Sequence, residues 1–171
     1  ILTILFVNVL HAEPMKMKVN GDNVNLRAGA DSQKEVVDQV SYGDILYTAG
    51  KDESGKWYRV LPPKGTKLYV YAPLVKEGKV SVKKLNVRSG PGINYTKLGE
   101  VLRGQTVNVM EQRNDWLAIN PPDGCYLWIS TDYLEPIVIK KKEPVKKPAP
   151  GKVEEKKTVT DTRDKEEKEA G

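Results

Sequence analysis

The chain has 171 residues, a net charge of +5, one cysteine and one histidine. A single cysteine excludes an intramolecular disulfide. Residues 13–135 hold 17 basic and 15 acidic residues, so most of the positive surplus lies beyond residue 135, and the composition does not favour a nucleic-acid-binding protein.

The chain begins with an apolar, uncharged segment, residues 1–10. It is too short to span a bilayer as a helix, which takes about 20 residues, so we expect no transmembrane segment here. An apolar run followed by His11 and Ala12 is typical of a secretory signal with a small residue before the cleavage site. We therefore expect residues 1–12 to be a signal peptide remnant and the protein to be exported, to the periplasm or to the cell exterior and its wall. A buried N-terminal strand is the alternative.

Two blocks of sequence occur twice, in the same order. Residues 24–29 (Val-Asn-Leu-Arg-Ala-Gly) return as residues 85–90 (Leu-Asn-Val-Arg-Ser-Gly) at an offset of 61. Residues 57–63 (Trp-Tyr-Arg-Val-Leu-Pro-Pro) return as residues 116–122 (Trp-Leu-Ala-Ile-Asn-Pro-Pro) at an offset of 59. The offset changes only across a polar, glycine-containing stretch, as it does when a surface loop varies on a fixed framework. The repeat predicts two copies of one small module.

Within each copy, short apolar runs alternate with polar residues at a period of two, and turn-forming residues separate the runs. The runs lie at 24–26, 45–47, 57–60 and 68–70 in the first copy, and at 80–82, 85–88, 106–110, 116–119 and 127–129 in the second. No stretch of residues 13–135 carries apolar residues at helical spacing for three turns. The pattern predicts an all-β chain with two small curled sheets or barrels, over residues 17–76 and 79–135.

The second copy carries an ordered series of motifs that closely resembles the bacterial SH3 domain. It has Leu-Asn-Val-Arg-Ser-Gly-Pro-Gly at 85–92, then Tyr95, Trp116 and a closing Trp128-Ile129 pair. The first copy has the same framework but carries Lys34 in place of the tyrosine. The resemblance implies a small, strongly bent β-barrel, so we expect two tandem SH3-like β-barrels.

The resemblance also implies a structural signature: Asn25, Arg27, Gly29, Asn86, Arg88, Gly90 and Trp128. We expect the two glycines, and Gly92 beside them, to provide the positive φ angles of a tight loop. For the two arginines we prefer hydrogen bonds to backbone carbonyls of a neighbouring loop over ligand contacts. One departure is that Leu68 and Leu127 stand where these domains usually have glycine, which bears on how the last strand bends.

The reactive residue types do not favour an enzyme. His11 is the only histidine and lies in the predicted leader, so the mature protein would hold no imidazole for nucleophilic catalysis or zinc binding. Cys125 lies in a turn where the first copy has Thr66, and we interpret it as a small packing residue. The acidic residues show no recurring pair of the kind that glycoside hydrolysis uses. We expect no catalysis, no metal and no cofactor.

Members of the resembled family are mostly non-catalytic exported modules, and many bind peptidoglycan or its peptide crosslinks. The resemblance therefore implies a protein that binds peptidoglycan or a wall peptide. Aromatic faces stack on sugar rings and peptide planes, which makes Tyr95, Trp116 and Tyr126 candidates for a groove in the second module. Trp57 is a further candidate. For both tryptophans, a half-buried lid on the barrel is an equally favoured interpretation.

Two other functions stay open. The copies differ at candidate groove positions, Lys34 against Tyr95 and Lys67 against Tyr126, which favours one binding module beside one structural or differently specific module. A periplasmic scaffold that binds another exported protein fits the same pattern. The chain could also be the targeting portion of a cell-wall hydrolase, although the lack of histidines weakens that interpretation.

The composition changes sharply from residue 136 onward. Residues 140–151 are rich in lysine and proline, and residues 156–168 mix both charges. Such a segment has no capacity for a core and predicts a disordered, extended tail over residues 136–171. We interpret the tail as a solubilising spacer in preference to an element that binds anionic wall polymers or lipid headgroups.

Overall fold

The computed structural model describes residues 14–137, and this part of the chain is built from fourteen strands and two 3-10 turns. The strands of the first repeat are β1 (Met15–Val19), β2 (Val24–Arg27), β3 (Val36–Val40), β4 (Ile45–Lys51), β5 (Trp57–Val60), β6 (Leu68–Tyr71) and β7 (Val75–Lys76). Those of the second repeat are β8 (Lys79–Val80), β9 (Lys84–Arg88), β10 (Lys97–Leu102), β11 (Val109–Arg113), β12 (Trp116–Ile119), β13 (Leu127–Ser130) and β14 (Leu134–Pro136). The predicted all-β class is confirmed. The predicted leader and, beyond residue 137, the predicted tail lie outside the described residues.

The first sheet contains strands from both repeats. Its order is β14-β1-β4-β5-β13-β2-β3, and all neighbours are antiparallel. β13 pairs with β5 in a register that places Leu127 opposite Val60, and β14 pairs with β1. The last two strands of the second repeat therefore complete the sheet of the first repeat.

The second sheet has the reciprocal arrangement. Its order is β10-β9-β6-β12-β11, and β6 of the first repeat pairs with β12 in a register that places Leu68 opposite Ile119. β7 then forms a separate two-stranded ribbon with β8. The register of β6 on β12 equals that of β13 on β5 once the repeat offset is applied. The two repeats have thus exchanged their closing strands.

The short link between the repeats explains this exchange. Only Glu77 and Gly78 join β7 to β8, and both have positive φ, 51° and 73°. Two consecutive positive φ angles are those of a type I′ hairpin turn, which makes the joined strands direct antiparallel neighbours. β7 therefore lies beside β8 in the half built around the second repeat, and β6 follows it through the 3-10 turn Ala72–Leu74. The places left open in the first sheet are filled by β13 and β14.

Two matching segments carry the chain from one sheet to the other. Residues 61–67 form the first crossover, between β5 and β6, and residues 120–126 form the second, between β12 and β13. Each contains a Pro-Pro pair and a glycine with positive φ, 96° at Gly65 and 84° at Gly124. Both crossovers end at a fully buried leucine, where the chain enters the opposite core.

Each hydrophobic core is completed by the other repeat. The first core includes Leu127, Ile129 and Leu134 from the second repeat, and the second core includes Leu68 and Val70 from the first. Burying one such side chain contributes roughly 1.5–3 kcal/mol. Each half of the molecule therefore draws several kcal/mol of apolar burial from strands of the other repeat.

The two halves belong to one compact unit and meet at equivalent positions of the two repeats. Val37 on β3 and Leu98 on β10, which are 61 residues apart, each pack against both cores. Nearby, the Glu35 carboxylate accepts hydrogen bonds from the backbone N–H and the hydroxyl of Thr96, at 3.0 and 2.8 Å. Glu35 and Thr96 are again 61 residues apart, so an approximate twofold axis relates the repeats here. We call the contact made by these four residues the seam.

The expectation that Gly29, Gly90 and Gly92 provide positive φ angles is wrong. Gly29, Gly90 and Gly92 do not have positive φ, whereas Gly43 and Gly104 do, at 92° and 81°. A Cβ added to Gly90 would collide with the ring of Tyr95, and one added to Gly92 would also crowd that ring. The glycine at 90 is therefore required by the close approach of an aromatic ring rather than by its backbone angle.

Candidate functional site

The four predicted ligand-contacting aromatics lie in different surroundings. Trp57 lines a groove of about 220 Å³ on the first sheet, Tyr126 lines one of about 530 Å³ between the crossovers, and Tyr95 lines one of about 320 Å³ at the seam. Trp116 lines none of these three grooves. The structure thus does not bring Tyr95, Trp116 and Tyr126 into one groove of the second module, and the role of each in binding stays a prediction.

The Trp57 groove is polar and takes residues from both repeats. Asn23, Asn25 and Arg27 come from the first repeat, and Ser130 and Tyr133 come from the second. The contribution of the second repeat follows from the strand exchange, because β13 pairs with both β5 and β2. Trp57 is half-buried, and its backbone N–H donates to the Asp52 carboxylate at 2.9 Å.

Trp116 contacts an aromatic ring of the other repeat. It lies opposite Tyr71 on the paired strands β12 and β6, with ring centroids 5.6 Å apart and planes inclined by 58°. Tilted aromatic pairs of this kind stabilise cross-strand contacts by about 0.5–1.5 kcal/mol beyond area burial. Trp116 is half-buried, so the contact supports the interpretation of this tryptophan as a lid.

Tyr126 lies at the end of the second crossover, where it meets the first repeat. The Arg59 guanidinium is 4.8 Å from the centroid of its ring, a cation–π distance. The groove that it lines is formed almost entirely by the two crossovers, with Leu61, the two Pro-Pro pairs and Asp123 in its walls. The groove therefore lies between equivalent segments of the two repeats.

Tyr95 lies at the seam. The groove that it lines, which we call the seam groove, is formed by Val36, Val37, Asp38, Gly65, Thr66, Lys67, Tyr69, Ser89, Gly90, Pro91 and Tyr95. The first seven of these belong to the first repeat and the last four to the second. Tyr95 is 40% exposed, and its ring rests on Gly90.

The two predicted signature arginines brace loops. Arg27 donates from Nη1 to the carbonyl of Lys34 at 2.8 Å, and Arg88 donates to the carbonyl of Tyr95 at 2.9 Å. These are the backbone contacts that the sequence analysis preferred. Among the other signature residues, Asn25 accepts a hydrogen bond from Gln39 at 2.8 Å, and Trp128 lies half-buried on β13, opposite Arg27 and Arg59. Asn86 is half-buried on β9.

The pKa values of Cys125, in the second crossover, and Glu35, at the seam, are shifted. Burial raises the pKa of Cys125 to about 11, so the thiol stays protonated at neutral pH. For Glu35, burial raises the pKa, but the hydrogen bonds from Thr96 and from the Glu35 backbone, together with the charge of Lys34, outweigh it, and the net pKa lies below its usual value of 4.5. Glu35 therefore carries a charged carboxylate at the seam.

Three residues of the seam groove were not among the predicted site residues: Ser89, Asp38 and Tyr69. Ser89 is 8% exposed, and its hydroxyl has no hydrogen-bond partner within the described part of the chain. Asp38 accepts a hydrogen bond from the Thr66 hydroxyl, and Tyr69 is 9% exposed. Sequence spacing could not join Tyr69 to Tyr95, because only the crossover brings residues 65–69 against the second repeat.

Residues 14–137 contain no group of three His, Cys, Asp or Glu side chains placed to hold a metal ion. None of the helical segments in this range is long and apolar enough to cross a membrane.

Comparison with known proteins identifies the family. The bacterial SH3 domain matches the chain twice, at residues 22–76 and 83–135. A protein of Bacillus subtilis (strain 168) named "Putative N-acetylmuramoyl-L-alanine amidase YrvJ" is 26% identical over 127 residues, which are 66% of this chain and 24% of that protein. The chain therefore spans about a quarter of that relative's length, and no solved structure matches it significantly. Since the two matches cover more than half of its residues, the chain belongs to the bacterial SH3 domain family, with two copies of the domain.

Proposed function

We propose that this protein is a non-catalytic, exported binding module that recognises peptidoglycan or its peptide crosslinks. The family match and the amidase relative support an association with the cell wall. The observation that carries the proposal is the placement of half-exposed aromatics in open grooves beside polar groups, with Tyr95 at the seam and Trp57 on the first sheet. Such surfaces stack on sugar rings and peptide planes while polar groups fix orientation.

The strand exchange supports a single rigid binder rather than two independent ones. Each groove that holds a predicted aromatic takes side chains from both repeats. Two flexibly linked modules would gain avidity through effective concentration. In this arrangement the gain comes instead from pre-organisation, because the grooves are held by paired strands.

The test is sedimentation of the full 171-residue chain with purified sacculi. We expect the protein in the pellet at low salt and still at about 0.5 M salt, where the Debye length of about 4–5 Å removes attraction by the charged tail. Chitin, an N-acetylated sugar polymer without peptides, serves as the control for glycan binding. Protein that stays in the supernatant with sacculi at low salt contradicts the proposal.

A second candidate function follows from the amidase relative. In this candidate the chain is the targeting portion of a cell-wall hydrolase, since the similarity lies within the SH3 region and covers only 24% of that protein. In both candidate functions the chain itself does not catalyse a reaction, and incubation of the full chain with sacculi tests this point. Release of soluble muropeptides would show that this chain is a hydrolase in its own right.

A further inference from the structure

We propose that the seam groove binds one short peptide segment that carries an ammonium group. The inference rests on the proposed function and names the chemistry of the ligand and the place where it binds. Three groups of the groove carry the argument: the hydroxyl of Ser89, the carboxylate of Asp38 and the ring of Tyr95.

The first group is a buried hydroxyl without a partner. Ser89 is 8% exposed, and its Oγ makes no hydrogen bond within residues 14–137 although it lines the groove. A buried hydroxyl that makes no hydrogen bond is unfavourable, and most such groups in folded proteins are paired. A peptide N–H or carbonyl placed in the groove would supply the missing partner.

The second group gives the groove its charge. Lys67 also lines the groove, and its Nζ is 2.7 Å from one carboxylate oxygen of Glu111, while the other oxygen of Glu111 is 2.6 Å from Arg113 Nε. Asp38 accepts hydrogen bonds from the Thr66 hydroxyl and the Gln39 backbone, and no ion pair within the described residues involves it. Of the two charged groups that line the groove, the carboxylate of Asp38 is therefore the one without an ion-pair partner in the described residues, and it favours a cationic ligand group.

The third group is an aromatic surface held in place. Tyr95 packs on Gly90, and its carbonyl is fixed by Arg88 at 2.9 Å. A fixed, 40% exposed phenol ring offers a face for a peptide plane and for an ammonium group. The groove thus combines an aromatic face, an anion and a free hydroxyl.

The equivalent positions on the other side of the twofold axis carry none of these groups. Lys34 replaces Tyr95, Gly99 replaces Asp38 and Ala28 replaces Ser89. At the crossover, Cys125 replaces Thr66. The framework is repeated but the chemistry is not, so the chain offers one such site rather than two.

The experiment is an NMR titration of the full chain with two synthetic tetrapeptides, blocked at both ends. One is Ala-Glu-Lys-Ala, and the other is the same peptide with the lysine amine acetylated. We expect shifts at Ser89, Gly90 and Asp38 with the free amine, and binding weaker by about tenfold after acetylation, the loss of one charge-assisted hydrogen bond. Equal binding of both peptides, or shifts confined to the Trp57 groove, would overturn the proposal.

Three variants each remove one of these groups, and two of them, Tyr95→Lys and Ser89→Ala, introduce the residue found on the other side of the axis. Tyr95→Lys, Asp38→Asn and Ser89→Ala should each weaken binding of the free-amine peptide, and Asp38→Asn alone should abolish the preference for the free amine. Asparagine still accepts a hydrogen bond from Thr66, so the fold is retained. Tyr47→Lys is the matched control, because Tyr47 on β4 is exposed to a similar extent, 42%, and lies outside the groove. Unchanged affinity in Tyr95→Lys contradicts the site.

The sedimentation assay keeps this proposal separate from the proposed function. If Tyr95→Lys and Asp38→Asn still bind sacculi as the unmodified chain does, wall binding stands and the seam groove is excluded as its site. If the unmodified chain does not bind sacculi but binds the free-amine peptide at the seam, the groove stands and the wall function fails.

Discussion

At the scale of single residues, the two repeats fill the contact between a strand residue and a crossover residue with different side chains. Asp38 and Gly99 are equivalent positions, and each faces the equivalent residue of a crossover. In the first half, the Thr66 hydroxyl donates to the Asp38 carboxylate. In the second half, the Cys125 sulfur occupies the space where Gly99 has no side chain, since a Cβ added there would lie 2.6 Å from Sγ. The smaller residue on the strand is thus matched by a thiol at the crossover.

We predict that Gly99→Ala destabilises the protein by about 1–3 kcal/mol, because the added methyl overpacks a well-filled core. Positive φ is not involved, since Gly99 is absent from the positive-φ positions of the described chain. The free energy of unfolding from urea titration measures the effect.

The matching change is Cys125→Ala, which removes the sulfur. Cys125→Ala should recover part of the loss when combined with Gly99→Ala, with a coupling of at least about 0.5 kcal/mol in a double-mutant cycle. Additive effects of the two substitutions would show that the thiol does not fill the space at Gly99.

At the scale of elements, the positions of the strands follow from the local sequence pattern, whereas the pairing of the strands does not. The alternation of apolar and polar residues predicted strands at most of the positions where they lie, such as β5 and β12, since period two is a local property. β3 was not predicted because its sequence, Val-Val-Asp-Gln-Val, does not alternate between apolar and polar residues. In the second repeat, the predicted run 106–110 is a strand only from Val109.

The exchange of β6 and β13 could not be predicted from the same pattern. Either pairing buries the same faces of these strands, because the repeats have the same framework, so the hydrophobic pattern does not distinguish them. The deciding feature is the two-residue turn at Glu77 and Gly78. The candidate site could not be predicted for the same reason, since the seam groove forms only where the first crossover meets the second repeat.

At the seam, we predict that the contact between Glu35 and Thr96 stabilises the protein in a pH-dependent way. The folded-state pKa of Glu35 lies below its ordinary value of 4.5. Its contribution is therefore fully present above about pH 4.5 and is lost as the pH falls through the lower folded-state pKa. Glu35→Gln should reduce the free energy of unfolding by about 1 kcal/mol at pH 7.

The difference between Glu35→Gln and the unmodified chain should shrink below pH 4.5, as thermal or urea unfolding at several pH values would show. Glu53→Gln is the control, because Glu53 is exposed on a turn. A difference that stays constant from pH 7 to pH 3 would mean that the charge of Glu35 plays no part in the contact.

At the scale of the whole molecule, the exchange makes the two domains one folding unit. Each core takes side chains from both repeats, and the first and last strands of the described chain, β1 and β14, are neighbours. Unfolding of either half removes strands from the other, so we expect one cooperative transition rather than two. The three grooves depend on both halves in the same way, because each is lined by residues of both repeats.

We predict that a longer link undoes the exchange. Inserting about ten Gly and Ser residues between Glu77 and Gly78 removes the hairpin constraint, so that β7 can pair with β1 and each repeat can close on itself.

Engineered cysteine pairs distinguish the two arrangements. Lys18 lies opposite Glu135 in the exchanged form, and the repeat offset of 59 places Lys76 there in the unexchanged form. In the chain with its natural two-residue link, Lys18→Cys with Glu135→Cys should form a disulfide. Lys18→Cys with Lys76→Cys should form one only in the chain that carries the insertion. Cys125 is buried and its thiol protonated, so it does not compete. A Lys18–Lys76 crosslink formed within a single chain of natural link length would contradict the view that the two-residue turn holds the strands exchanged.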